Sequence, residues 1–226
     1  MAATDDARTS DRSLRADAVR NRLRIVEAAQ ALFEERGIDV PLDEIAERAE
    51  VGAGTLYRRF PTREDLLEAV FEDELRKWAT IAEEALACED PWVGFSTFIE
   101  RICATMATDR GFSDLIIMKL PTSQVTASLC ARQTRALADL VLRAQEAGAL
   151  REDFVVEDIF LFLMANAGVS QVTHCAAPHA WRRLVAFLLE ACRPANAGPL
   201  PAAPTALQTE RAMLGHATAM GVIPRA

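Results

Sequence analysis

Thr55, Tyr57, Arg58 and Arg59 cluster in the segment LDEIAERAEVGAGTLYRRF, residues 42–60 of a 226-residue chain. A hydroxyl, a phenol and two guanidinium groups donate hydrogen bonds, which suits them to phosphate oxygens and base edges. Gly52, Ala53 and Gly54 come just before them, and their small side chains let a backbone approach a groove closely. Catalytic chemistry has no comparable constellation. There are three histidines, no Gly-rich phosphate loop and no GxSxG elbow, and the acid pairs Glu34/Glu35 and Glu83/Glu84 read as solvated helix faces. His174, Cys175 and His179 lie close in sequence, but no fourth ligand accompanies them, so they read as a helix end rather than a zinc site. The expectation is a binding protein without catalytic residues, metal or cofactor.

These side chains need a frame, and the apolar spacing supplies one. Leu42, Ile45, Ala46 and Ala49 fall at i, i+3, i+4 and i+7, one face of a helix too short to be stable alone. Leu56 and Phe60, four apart, are the inward residues of a second short helix. Upstream, Ile25, Ala28, Ala29, Leu32 and Phe33 predict a third, and Gly37 stands where a left-handed cap is needed. Downstream, Pro61 stops the second short helix. Thr62 and Asp65 make a capping-box start for a longer one that carries Leu66, Leu67, Val70, Phe71, Leu75 and Trp78. Three helices with a lead-out helix make a compact helix-turn-helix head.

With ALFEERG and then PLDEIAERAEVGAGTLYRRFPTREDLLEAV, the chain resembles the N-terminal domain of the TetR family of bacterial transcriptional regulators over about residues 18–72. The resemblance implies an all-α homodimer with a head that binds a double-stranded DNA operator. It also implies a larger helical domain whose pocket, when a small molecule fills it, moves the heads apart. By position, Gly52, Ala53, Thr55, Leu56, Tyr57 and Arg58 fall on the recognition helix. Arg59 stands where the family usually has His and Arg63 where it usually has Lys, both phosphate-facing roles that Arg can fill. Two positions depart from the pattern. Glu50 replaces a turn Gly, at a cost of about 1 kcal/mol if its φ is positive. Pro41 replaces a capping Ser or Thr; it suits a first helical turn but loses a phosphate contact.

The net charge of −8 and pI near 5.0 argue against unspecific nucleic-acid binding. Locally the balance reverses. Arg8, Arg12, Arg15, Arg20, Arg22 and Arg24 face only Asp11 and Asp17 in residues 8–24, and Arg58, Arg59 and Arg63 form a second cluster. With a Debye length of about 8 Å, a phosphate feels these arginines more than a distant acidic body. Arg20 and Arg24 are assigned phosphate contacts, whereas residues 1–16 read as a flexible Arg-containing arm. No apolar run of about 18 residues suggests a membrane span, and no signal core is present. The expected location is therefore cytoplasmic, at the nucleoid. Cys88, Cys103, Cys130, Cys175 and Cys192 are an odd set, far apart, which suits reduced core thiols.

Residues 17–62 are expected to form the head, 63–194 an effector-binding and dimerisation domain, and 195–226 a Pro/Ala-rich tail with a mildly helical patch, partly packed and otherwise flexible, with about nine helices in all. In the body, Asp90 and Pro91 open one helix, Gly111 and Pro121 bound the apolar segment FSDLIIMKL, and a long helix runs from about Thr122 to a Gly148 cap. Helices at about 155–175 and 179–192 are apolar nearly all round, so both sides need covering. Either the body buries both sides, or a second copy covers one through Phe160, Met164, Trp181, Leu184 and Leu188. Trp78, Phe95, Phe98, Ile102, Phe112 and Met118 read either as core or as the lining of an effector pocket. Asn166 and Gln171 interrupt an apolar helix and need polar partners. The composite expectation is a repressor released from a palindromic operator by a small apolar effector. The alternatives are an effector-free DNA-binding dimer, an activator, or a helical small-molecule-binding dimer that does not bind DNA.

Overall fold

The computed structural model describes residues 3–118 and 123–220. Ten α-helices and no strand occur among them: α1 Ala3–Arg36, α2 Leu42–Arg48, α3 Ala53–Arg59, α4 Arg63–Ala87, α5 Pro91–Thr108, α6 Arg110–Ile116, α7 Gln124–Glu146, α8 Val156–Thr173, α9 Ala180–Ala191 and α10 Ala206–Ala219. The predicted punctuation explains most of these bounds. Gly37 and Gly148 follow α1 and α7 with φ of 82° and 63°, a left-handed conformation that glycine adopts without steric cost. Thr62 and Asp65 form the expected capping box, and Asp90 accepts from Trp92 N and Val93 N ahead of Pro91. Pro121 and Thr122 lie outside the described residues.

The head is α1 to α3. Ile25, Ala29, Phe33, Ile45, Ala46, Leu56 and Phe60 are buried together, so each short helix takes its stability from the other two. The body is organised on α4 and α7, which run side by side in the same direction and are tied at both ends. At one end Glu68 of α4 accepts from Ser123 N at 2.5 Å and from Thr126 Oγ1 at 2.9 Å, capping the start of α7. At the other, Arg143 of α7 donates to the carbonyls of Leu86 and Cys88 where α4 ends. Inside, Trp78 stacks on Phe98 at 6.3 Å and meets Phe112 edge-on at 6.5 Å.

Two stretches differ from expectation. Residues 3–16, expected as a loose arm, continue α1 as helix, since no Gly or Pro occurs before Gly37 to interrupt it. In the segment expected as a Pro/Ala-rich tail, the mildly helical patch is a full helix, α10, opened by a capping box between Thr205 and Gln208 and packed against α8. Its Ala206, Thr209, Met213 and Ala217 repeat at helical spacing, and Thr209 and Ala217 are buried. Arg151, itself buried, secures the approach to α10 by donating to Gly198 O at 2.6 Å. Residues 221–226 lie outside the described residues. Among the described residues no helix is long and apolar enough to cross a membrane.

Candidate nucleic-acid interface and ligand cavities

The turn between α2 and α3 sets the direction of α3. Glu50 N donates to Glu47 O at 3.0 Å and Val51 N to Ala46 O at 3.0 Å, while Glu50 itself has φ 51°. That is the Schellman arrangement, in which a left-handed residue ends the helix and satisfies its last carbonyls. Leu56 and Phe60 then anchor α3 in the head core. Gly52, Ala53, Gly54, Tyr57, Arg58 and Arg59 remain exposed and Thr55 half-buried, with Tyr57 47 % accessible. Leu56, read as inward from its spacing and carried onto the recognition helix by the family resemblance, is fully buried and supports the contact surface from behind.

The basic residues divide into distinct placements. Arg20 is exposed and pairs with Asp17; Arg24 reaches Glu50 Oε2 at 2.7 Å. Arg22, not assigned from sequence beyond its place in the arginine cluster, lies with its guanidinium 5.5 Å over the Phe60 ring, at the end of α3. Arg63 turns inward: it donates to Val40 O at 2.9 Å and also to Ile38 O. Its phosphate-facing role is therefore corrected, because the loop between α1 and α2 has carbonyls left by its turn that the guanidinium satisfies. Pro41 sits one position earlier than expected, as the N-cap of α2, and offers no side-chain cap.

The body contains two sizeable cavities. The larger, about 550 Å³, lies among α4, α6, α7, α8 and α10 and is lined in part by Trp78, Met118, Gln133, Phe160, Thr209 and Met213. The smaller, about 430 Å³, includes Arg110, Asp114, Met164, Gln171, His174 and His216 in its wall. Of the residues read as core or pocket, Trp78 and Met118 border the larger cavity. Phe95, Phe98, Ile102 and Phe112 are packed core. Asn166 is buried and donates to Cys103 O at 3.1 Å, whereas Gln171 borders the smaller cavity. The thiols of Cys103 and Cys192 are pushed up to about 12 by burial, as suits core thiols, but Cys175 is exposed.

α6 joins the smaller cavity to the head. Gly111 is pressed on Phe33, so closely that a Cβ there would stand 2.6 Å from Phe33 Cβ. Asp114 Oδ2 accepts from Ile38 N at 3.3 Å. Burial raises the Asp114 carboxyl above its ordinary value, with the Ile38 N–H and nearby Arg110 pulling the other way.

Among known proteins, the profile of the bacterial regulatory proteins of the tetR family matches residues 25–70. A profile for the SbtR-like transcriptional regulator C-terminal domain matches residues 90–194. A TetR transcription regulatory protein from Mycobacterium vanbaalenii, solved by crystallography, is 35 % identical; the alignment covers 80 % of this chain and 99 % of that one, with a TM-score of 0.52. The chain belongs to the TetR family. A TetR transcriptional regulator from Streptomyces coelicolor is 31 % identical over 76 % of this chain and 98 % of its own, with a TM-score of 0.51. An HTH-type transcriptional regulator of Staphylococcus aureus is 40 % identical over 68 residues, which span 30 % of this chain and 37 % of that relative. The match to that curated relative thus covers little more than a third of its length.

Within the TetR family pattern, Glu50 is a tolerated departure because the turn keeps its left-handed geometry with a non-glycine. The residues expected at a dimer face are placed differently from one another. Trp181 is buried within its own chain, Phe160 and Met164 border cavities, and Leu184 and Leu188 are half-exposed. The apolar surface left uncovered lies one step round each helix. On α8 it comprises Leu161, Ala165, Gly168 and Val172, the last 83 % accessible; on α9 it includes Phe187, 60 % accessible, and Ala191. The sequence shows two helices apolar nearly all round, but only the packing decides which stripe each one turns inward.

Proposed function

We infer that this TetR family member is a DNA-binding transcriptional repressor that acts by binding rather than catalysis. The observation that carries this reading is α3. Its Leu56 and the adjoining Phe60 are buried, its exposed face holds Tyr57, Arg58 and Arg59 beside small residues, and Arg20, Arg22 and Arg24 lie on α1 of the same head. Base edges are assigned to Thr55, Tyr57 and Arg58, and phosphates to Arg20, Arg22 and Arg59, with Arg24 held by Glu50 and with Gly52 and Ala53 giving close approach. Residues 17–62 act as the head. The body is assigned residues 63–219, because α10 packs on it.

The uncovered stripes on α8 and α9 support a two-fold dimer built as a four-helix bundle. Such a dimer sets two α3 helices in successive major grooves about 34 Å apart, on a near-palindromic operator in the cytoplasmic nucleoid. A small, mainly apolar effector filling the cavity beneath α10 releases the operator. The test is binding to a DNA fragment from the protein's own promoter region, followed by fluorescence anisotropy. Tyr57→Ala with Arg59→Ala should weaken binding at least a hundredfold while the melting temperature stays put. Unaltered binding would sink the DNA-contact assignment.

A further inference from the structure

Three side chains bordering the larger cavity carry a buried polar atom with no hydrogen-bond partner in the protein: Trp78 Nε1 on α4, Gln133 Nε2 on α7 and Thr209 Oγ1 on α10. The residues are 4 %, 5 % and 9 % accessible. Buried polar groups are nearly always paired in folded proteins, and each exception calls for an explanation. Here three exceptions lie on three helices, in residues that all border one cavity. An indole N–H and an amide NH₂ only donate, and a hydroxyl donates readily, so what they have in common is the need for an acceptor.

The remainder of the wall narrows the class. Phe71, Leu75, Leu137 and Met213 make most of it apolar. Among the described residues, the charged ones in the wall are two glutamates, Glu157 and Glu210, with no Lys or Arg. An anion entering here would lose its hydration and gain no counter-charge. The Trp78 ring is held by Phe98 and Phe112, which makes its N–H a fixed donor, whereas the Gln133 amide and Thr209 hydroxyl adjust by side-chain rotation.

We propose that the cavity among α4, α7, α8 and α10 selects an uncharged, mainly apolar molecule bearing a carbonyl-type oxygen, which accepts from Trp78, Gln133 and Thr209. α10 is thereby a wall of the site rather than a tail, because Thr209 supplies one of the three donors. The assignment rests on the effector reading for its regulatory meaning but not for the binding itself.

One skeleton with four substituents tests it on the full chain by calorimetry: 2-acetylnaphthalene, 2-isopropylnaphthalene, 2-naphthoate and 1-(2-naphthyl)ethylamine. The ketone should bind at least tenfold tighter than the other three and shift the Trp78 indole N–H resonance, identified by its loss in Trp78→Phe. Gln133→Leu and Thr209→Val should each reduce ketone binding about three- to tenfold and leave the hydrocarbon unchanged. Because each also removes an unpaired buried polar atom, neither should lower the melting temperature of the ligand-free protein. Equal binding of ketone and hydrocarbon, preference for the anion or the ammonium, or no binding by any of the four overturns the proposal. Ketone binding that leaves the promoter fragment bound sustains the site and sinks the effector reading. Release by a compound to which all three variants are indifferent does the reverse.

Discussion

Glu50 is the one non-glycine residue with positive φ among the described residues, and its carboxylate holds Arg24, which would otherwise be available to a phosphate. Left-handed geometry costs an L-residue about 1–2 kcal/mol, partly offset in Gly by greater chain entropy in the unfolded state. Glu50→Gly should therefore raise the melting temperature slightly. It should also strengthen operator binding and steepen its salt dependence by about one counterion, as Arg24 gains a phosphate; an unchanged salt slope would show that Arg24 makes no such contact. Asp114 has its carboxyl raised by burial above the ordinary 3.8. The folded state thus favours the protonated form, so the contribution of Asp114 to stability is greatest below that value and is lost as pH rises through the folded value. Asp114→Asn keeps an acceptor for Ile38 N and removes the charge. Its unfolding midpoint should exceed the parent's at pH 7, and the advantage should vanish as pH falls towards 3.8. At this scale the left-handed site at residue 50 was legible, because a helix end needs such a residue there. The inward turn of Arg63 was not, since its carbonyl partners come from a different loop.

Helix ends were read well because their causes are local. Gly37, Thr62, Asp90 and Gly148 each act through bonds or torsions within a few residues, and each terminates or starts a helix where expected. α10 showed in the sequence only as a mildly helical patch, for the opposite reason. Its capping pair Thr205 and Gln208 is local, but the Pro/Ala-rich run before it masks the signal. Its apolar stripe has meaning only against α8 and the cavities. α6 shows what close packing demands: a Cβ at residue 111 would meet Phe33 Cβ at 2.6 Å and Phe33 O at 3.1 Å. Gly111→Ala should therefore cost about 1–3 kcal/mol through overpacking, read as a lower denaturant midpoint. A midpoint equal to the parent's would mean that α1 and α6 separate easily. The Ala variant should also weaken the coupling between ligand and operator, because α6 borders the larger cavity through Ile116 and packs on α1 of the head.

On the scale of the whole molecule, the uncovered stripes of α8 and α9 ask for a second copy. A Phe187→Asp substitution places a charge in the middle of that surface and should convert the dimer to a monomer at micromolar concentration, measured by sedimentation equilibrium. Operator affinity should fall with it, since a single head loses the second half-site. A dimer mass that survives would place the interface elsewhere. The acidic body, at net −8 for the chain, leaves the arginines of the head as the local source of attraction for DNA. The sequence by itself determined the all-α class, the head, most of the caps and the exposed polar face of α3, because periodicity, capping and charge act over short separations along the chain. Only the tertiary structure decided which aromatic residues are core and which border a cavity, which face of α8 and α9 stays open, and that Arg63 serves the scaffold. Those outcomes depend on which helices meet, and no stretch of sequence contains both sides of such a contact.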